Sequence, residues 1–173
     1  MPAKRSTNLK KGSSRQRVTN APSYSGLQPA SRNASRVKSR NRSANTRAEL
    51  QLRKALSSLG LRYRLHVARL PGRPDVVFIR SRVAVFCDGD FWHGRKWRTR
   101  RSRLQTGANA RYWIDKISYN IARDKRQTNA LRRAGWLVVR VWETDVLRDP
   151  RSAANKVWKA LNHEARRRRR RPG

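Results

Sequence analysis

Two short apolar runs, DVVFI at 75–79 and RVAVFC at 82–87, are separated by only Arg80 and Ser81. Runs this short, rich in β-branched residues and Phe, read as buried strands, and the gap leaves room for nothing but a tight hairpin. Pivoting at Arg80–Ser81 sets Ile79 opposite Arg82 and Asp75 beside Phe86. Before the hairpin, RYRLHV at 62–67 alternates Tyr63, Leu65 and Val67 against polar residues, as a half-buried strand does. After it, WLVVRVW at 136–142 reads as another buried strand. Helical signals fill the intervals. A helix starts from a polar cap at Asn45 or Thr46, carries Leu52, Ala55, Leu56 and Leu59 on one face, and stops at Gly60. A long helix is expected from Asn109 to Ala134, with Trp113, Ile117, Ile121, Thr128 and Leu131 as its stripe, and a closing helix in RSAANKVWKALNHEA at 151–165. The segment 94–109 (GRKWRTRRSRLQTGAN) reads as irregular. Helix, three strands, long helix, strand and helix make an α/β domain.

Charge narrows the partner. The chain has 173 residues and a formal net charge of +34. Residues 1–44 carry 11 basic side chains and no acidic one, and Arg166 to Arg171 form an unbroken basic run of six. Sequence of this kind buries too little to repay ordering, so 1–43 and 165–173 are expected to be disordered tails around a domain at 44–164. Between 45 and 165 there are still 27 basic residues against 10 acidic, so the domain itself is suited to a polyanion such as double-stranded DNA. Six basic residues crowd the nine from Arg95 to Arg103, and Arg95, Lys96, Arg98, Arg100 and Arg101 are candidate DNA contacts. One cysteine, Cys87, excludes an intrachain disulfide and a cysteine-rich zinc cluster. No apolar run approaches a membrane span and no signal peptide is evident, so a cytoplasmic protein is expected, with monomer as the default state.

Three acids break the apolar pattern. Glu49 and Asp124 fall on helix faces that should be apolar, and Asp75 opens a buried strand. Buried carboxylates are costly unless they are paired or hold a metal. In a DNA-binding domain, such a cluster suggests Mg²⁺-assisted phosphodiester hydrolysis, with His93 as general base at the same end of the sheet. The competing reading of Glu49 is a first-turn acid favoured by the helix dipole. His93 lies in CDGDFWHG, 87–94, where Phe91 and Trp92 stand between two aspartates and the imidazole. Taken as residues alone, these rings and Trp113 read as core aromatics. Glu143 reads either as a near-site acid or as a helix cap.

SRNRSANTRAEL, LRYRLHVARLPGRPDVVF, RVAVFCDGDFWHG, YWIDKISYNIARDKR and AGWLVVRVWE, spread over residues 38–145, together resemble the successive motifs of the very short patch repair endonucleases. The resemblance implies a restriction-endonuclease-like, PD-(D/E)xK-type three-layer fold with a mixed sheet, and nicking of one DNA strand at a T:G mismatch. A related branch of homing-type or defence nucleases implies the same chemistry without mismatch dependence. A silent basic DNA-binding protein is the third reading. By resemblance, Asp75 and the main-chain carbonyl of Cys87 hold Mg²⁺, and His93 is catalytic with Asp124 and Glu49 beside it. Phe91, Trp92 and Trp113 match the intercalating rings, and repair accessory proteins are implied as possible partners. Asp88 stands where the mismatch-repair type often carries a second histidine, so its role stays open. Zinc-bearing members carry Cys and His where this chain has Asp90, Arg95, Trp97 and Thr144, so no structural zinc is expected.

Overall fold

The structure is a computed structural model that describes residues 44–170 together with Ala21 and Pro22. The expected N-terminal tail otherwise lies outside the described residues, as do residues 171–173. The element order is α1 (Arg47–Ser58), β1 (Arg64–Leu65), β2 (Val76–Phe78), β3 (Val83–Asp88), α2 (Trp97–Gln105), α3 (Ala110–Arg133), β4 (Leu137–Trp142), α4 (Glu143–Arg148) and α5 (Pro150–Arg169).

The four strands form one mixed sheet in the order β1-β2-β3-β4. β1 and β2, and β2 and β3, pair antiparallel, while β3 and β4 run parallel. The hairpin adopts the register the two-residue gap demands, with Val76 opposite Val85 and Phe78 opposite Val83. Its turn closes through the Arg82 amide, which donates to the Ile79 carbonyl at 3.1 Å. Asp75 follows suit, its amide bonded to the Val85 carbonyl at 3.0 Å.

Alternation then sorts side chains between two layers. Val83, Val85, Val139 and Val141 join Leu52 and Leu56 of α1 and Val157 and Leu161 of α5 in the main core. Ala84, Phe86, Val138 and Leu131 of α3 pack together on the opposite face. Asp88 and Arg140 share strand parity with Phe86 and Val138, so they fall on the α3 side, where a helix covers them. The result is helix, sheet, helix.

Three expectations are corrected. RYRLHV forms only a two-residue edge strand, and Leu65 stays 43% exposed because β1 has a neighbour on one side alone. The 94–109 segment is not irregular: residues 97–105 are helical. That helix buries nothing, so an apolar-stripe criterion misses it, although Arg, Leu and Gln are good helix formers. The closing helix does not give way to a tail at 165 but runs through Arg169. Glu164, almost fully buried, accepts from Arg167 and Arg168, and Arg168 donates to the Arg80 carbonyl at 2.9 Å, so the arginine run is anchored where it joins the fold.

Candidate active site

The carboxyl end of β3 and the loop after it carry most of the chemistry. Asp75 Oδ2 accepts from the Cys87 amide at 2.7 Å, which ties the start of β2 to the end of β3. Burial pushes the Asp75 carboxyl up to about 6, with the neighbouring charges of Glu49 and Asp88 adding to the rise against the Cys87 hydrogen bond. Burial also pushes the Cys87 thiol up, which makes it an inert apolar group rather than a nucleophile.

Loop 89–96 brings His93 back over α3. The His93 amide bonds to the Gly89 carbonyl at 3.1 Å, and Gly94 takes a positive φ of 73°. A Cβ on Gly94 would sit 2.4 Å from Cδ1 of Ile121, so only glycine lets the loop lie this close to the helix. Asn120 donates to the Trp92 carbonyl at 3.0 Å, a contact the sequence reading did not include. One turn on, Asp124 Oδ2 lies 2.5 Å from Nδ1 of His93. Burial alone would raise Asp124, but the His93 hydrogen bond and the charges of His93, Arg140 and Arg123 outweigh it and hold the carboxyl below its ordinary range. An ionised Asp124 accepts from a protonated Nδ1, which in the neutral ring leaves Nε2 as the acceptor, the arrangement a general base needs.

Asp88, 3% exposed, lies between these groups. It is gripped by Arg140, whose Nε and Nη2 reach its two oxygens at 2.5 and 2.6 Å. Arg140 also donates to Thr128 at 3.2 Å, lies 3.5 Å from Asp124, and stacks over the Phe86 ring. Nothing in the motif reading singled out Arg140, although a charge in the middle of WLVVRVW was the available signal.

Glu49 does not join this group as a free carboxylate. It forms a capping arrangement at the start of α1, accepting from Thr46 Oγ1 and the Asn45 amide, while its own amide bonds Thr46. Arg53 completes the network, donating to Glu49 at 2.9 Å and to Nε2 of His66 at 3.0 Å. The first-turn reading of Glu49 holds, with the acid close enough to Asp75 to act on it through its charge.

The expected clustering of Glu49, Asp75 and Asp124 is also corrected. Among the described residues, no three His, Cys, Asp or Glu side chains come together as a metal-holding group. His93 and Asp124 are bonded to each other, while Asp75 stands with Cys87. The acids nearest Asp75 already have partners, Arg140 for Asp88 and Arg53 for Glu49, whereas Asp75 is half-buried with its charge opposed. A site of this kind fits a hard cation held by one carboxylate and a backbone carbonyl that keeps most of its waters. Asp75 and the Cys87 carbonyl would hold it.

The three rings form one half-exposed cluster. Ring centroids of Phe91 lie 5.1 Å from Trp92 and 5.5 Å from Trp113, and Trp92 lies 5.9 Å from Trp113. Arg100 stacks over Phe91 at 5.3 Å. Lys96, Arg98 and Arg101 are exposed. Arg95 differs from the expectation of a DNA contact. It turns inward to Asp90 at 2.9 Å, Asp145 at 2.7 Å and the Thr144 hydroxyl, because acids flank it on both sides. Asp90 in turn accepts from the amide and hydroxyl of Thr144. Asp90, Arg95 and Thr144, three of the four positions at which the resemblance would place zinc ligands, thus form a latch of ion pairs and hydrogen bonds. Glu143 opens α4, and its Oε2 lies 3.5 Å from where a Cβ on Gly89 would be, so it is both near the site and in a first turn.

The mixed sheet between two helical layers agrees with the restriction-endonuclease-like nuclease fold that the resemblance implies. The family described as DNA mismatch endonuclease Vsr matches residues 27–99. Type II nicking enzyme V.NmeDIP of Neisseria meningitidis serogroup C is 43% identical over 121 residues, 70% of this chain and 80% of that protein. Type II nicking enzyme V.HpaIIP of Haemophilus parainfluenzae is 38% identical, covering 72% and 87%. DNA mismatch endonuclease Vsr of Escherichia coli (strain K12) is 35% identical, covering 57% and 62%. The chain belongs to the Vsr family and is an endonuclease. No helix among the described residues is long and apolar enough to cross a membrane.

Proposed function

We propose that the protein is a Mg²⁺-dependent endonuclease that acts as a monomer on double-stranded DNA and nicks one strand at a T:G mismatch. The His93–Asp124 couple, with the half-buried Asp75 tied to the carboxyl end of β3, carries this reading. Asp124 holds the imidazole so that Nε2 can take a proton from the attacking water. Bound Mg²⁺ would supply charge for the phosphate and polarise it. Phe91, Trp92 and Trp113 would stack into the duplex, where unstacking costs a few kcal/mol and least at a mispair.

Several relatives are named as nicking enzymes rather than as mismatch endonucleases, which keeps a nuclease indifferent to mismatches as the second reading. One experiment separates the two. End-labelled matched and T:G duplexes are incubated with Mg²⁺ and wild-type or His93→Ala protein. A nick in one strand of the T:G duplex alone, lost in His93→Ala, supports the proposal. Equal cutting of the matched duplex removes mismatch dependence, and cutting that survives His93→Ala removes the assigned chemistry.

A further inference from the structure

Asp88 and Arg140 are the best-paired charges near the site, and the catalytic assignment above uses neither. Both belong to strands, and sheet register explains why they meet. Phe86 pairs with Arg140 across the parallel β3–β4 ladder, so the guanidinium lies over the Phe86 ring and extends one residue pair further to Asp88 on the same face. The two bonds at 2.5 and 2.6 Å form a fork, the geometry a guanidinium supplies and an ammonium does not. Its remaining donors reach across to α3, to Thr128 at 3.2 Å and towards Asp124 at 3.5 Å.

The consequence falls on His93. Its Nδ1 lies 2.5 Å from Asp124 and 3.6 Å from Asp88, so one ring nitrogen faces two carboxylates from two different elements. Without a fixed countercharge, two acids this close would repel, and either could claim the Nδ1 proton. Arg140 resolves the competition. It occupies both oxygens of Asp88 and leaves Asp124 Oδ2 as the acceptor nearest the ring. It also ties β3, β4 and α3 into one wall behind the imidazole.

We propose that Arg140, acting through Asp88, is a positioning residue for the His93–Asp124 couple: it selects Asp124 as the partner of Nδ1 and so fixes the orientation of the ring. This rests on the catalytic role given to His93 under the proposed function. The pair also gives Asp88 a role that its place in the motif left open.

The test uses the full chain as wild type, Arg140→Gln, Arg140→Lys, Asp88→Asn, the double variant Asp88→Asn/Arg140→Gln, and His93→Ala. The first readout is proton NMR of the imidazole N–H, which needs no DNA. A short Nδ1–H bond to a carboxylate gives a far-downfield resonance, assigned to His93 by its loss in His93→Ala. The second is steady-state nicking over a range of duplex concentrations, which gives kcat and KM separately, with circular dichroism confirming the folded fraction. The proposal expects Arg140→Gln to shift or lose the resonance and to lower kcat about 10- to 100-fold with KM within about threefold. Arg140→Lys should fall between it and wild type, because an ammonium cannot fork both oxygens. The double variant should regain part of the loss, since removing both partners leaves no stranded charge. If Arg140→Gln does not fold, Arg140→Lys and the double variant decide. An unchanged resonance and kcat in the folded variants overturns the proposal, as does a loss that only tracks the folded fraction. If His93→Ala nicks like wild type, the proposed function fails, while the resonance still reports whether Arg140 places the ring.

Discussion

Nδ1 of His93 meets Oδ2 of Asp124 across the interface between loop 89–96 and α3, at 2.5 Å. The contact exists because Gly94 permits the loop to press onto Ile121, one helical turn before Asp124. Replacing Asp124 by Asn keeps an acceptor of the same shape but removes the charge that stabilises an imidazolium once Nε2 has taken a proton. Asp124→Asn should lower kcat by roughly 10²- to 10⁴-fold while leaving duplex affinity near wild type, as measured by single-turnover nicking and by binding titration.

Asp75 makes a pH prediction of definite sign. Its carboxyl lies at about 6 in the folded protein against an ordinary 3.8, because burial disfavours the charged form. The folded state therefore holds this proton more tightly than the unfolded state. Stability from this group is full below about pH 4 and is lost as pH rises through 6. The gap corresponds to about 3 kcal/mol at most at pH 7 without metal. Asp75→Asn should raise Tm at pH 7 while abolishing nicking, and the gain should vanish near pH 4. Mg²⁺ should raise the Tm of wild type and not that of Asp75→Asn, since only a ligand bound to the folded state stabilises it. A variant no more stable than wild type at pH 7 would show that the ionised carboxylate carries no penalty.

Register and alternation explain which parts of this were legible in advance. The two-residue gap at Arg80–Ser81 is enough to place Asp75 at the end of β3, and the position of Asp124 on the stripe of α3 puts it inward. The partnerships were not legible. Whether Glu49 caps a helix or faces a phosphate depends on Thr46, Asn45 and Arg53, which compete for the same carboxylate. Arg95 reads as one more basic residue in a run, and only the return of β4 brings Thr144 and Asp145 to it. Helix α2 escaped because it has no apolar face to reveal its period.

The ring cluster predicts a change in affinity rather than in chemistry. Phe91, Trp92 and Trp113 are half-buried against one another, so each can lose its ring with modest damage to the core. Trp92→Ala or Phe91→Ala should weaken binding to mismatched duplex by about 1–3 kcal/mol, the range for aromatic stacking on a base. Binding to matched duplex should change less. Quenching of tryptophan fluorescence on titration with DNA measures both, and equal losses on the two duplexes would sink the wedge role.

The Asp90–Arg95–Thr144–Asp145 latch joins the His93 loop to the start of α4 through charged and polar contacts alone. Burial would raise Asp90, but hydrogen bonds from Thr144 and Arg95 outweigh it and hold its carboxyl below the ordinary range. Arg95→Ala should leave the sheet intact and loosen residues 90–95, speeding their amide exchange and lowering kcat. Protection that stays at the wild-type level would mean that Gly94 against Ile121 is sufficient to seat the loop.

Helix α2 makes the salt dependence specific to a surface. Arg98 and Arg101 are exposed, no residue of α2 is buried, and the helix packs on α3 near the ring cluster. A side chain that neutralises one phosphate releases about one counterion, so each such contact removed should reduce the slope of log affinity against log salt by about 1. Arg98→Ala and Arg101→Ala should each show this, with little change in preference for the mismatch, because phosphate contacts carry no base information. Arg95→Ala serves as the internal contrast. Its guanidinium is committed to Asp90 and Asp145, so its removal should leave the slope nearly unchanged even though the same segment loses a positive charge.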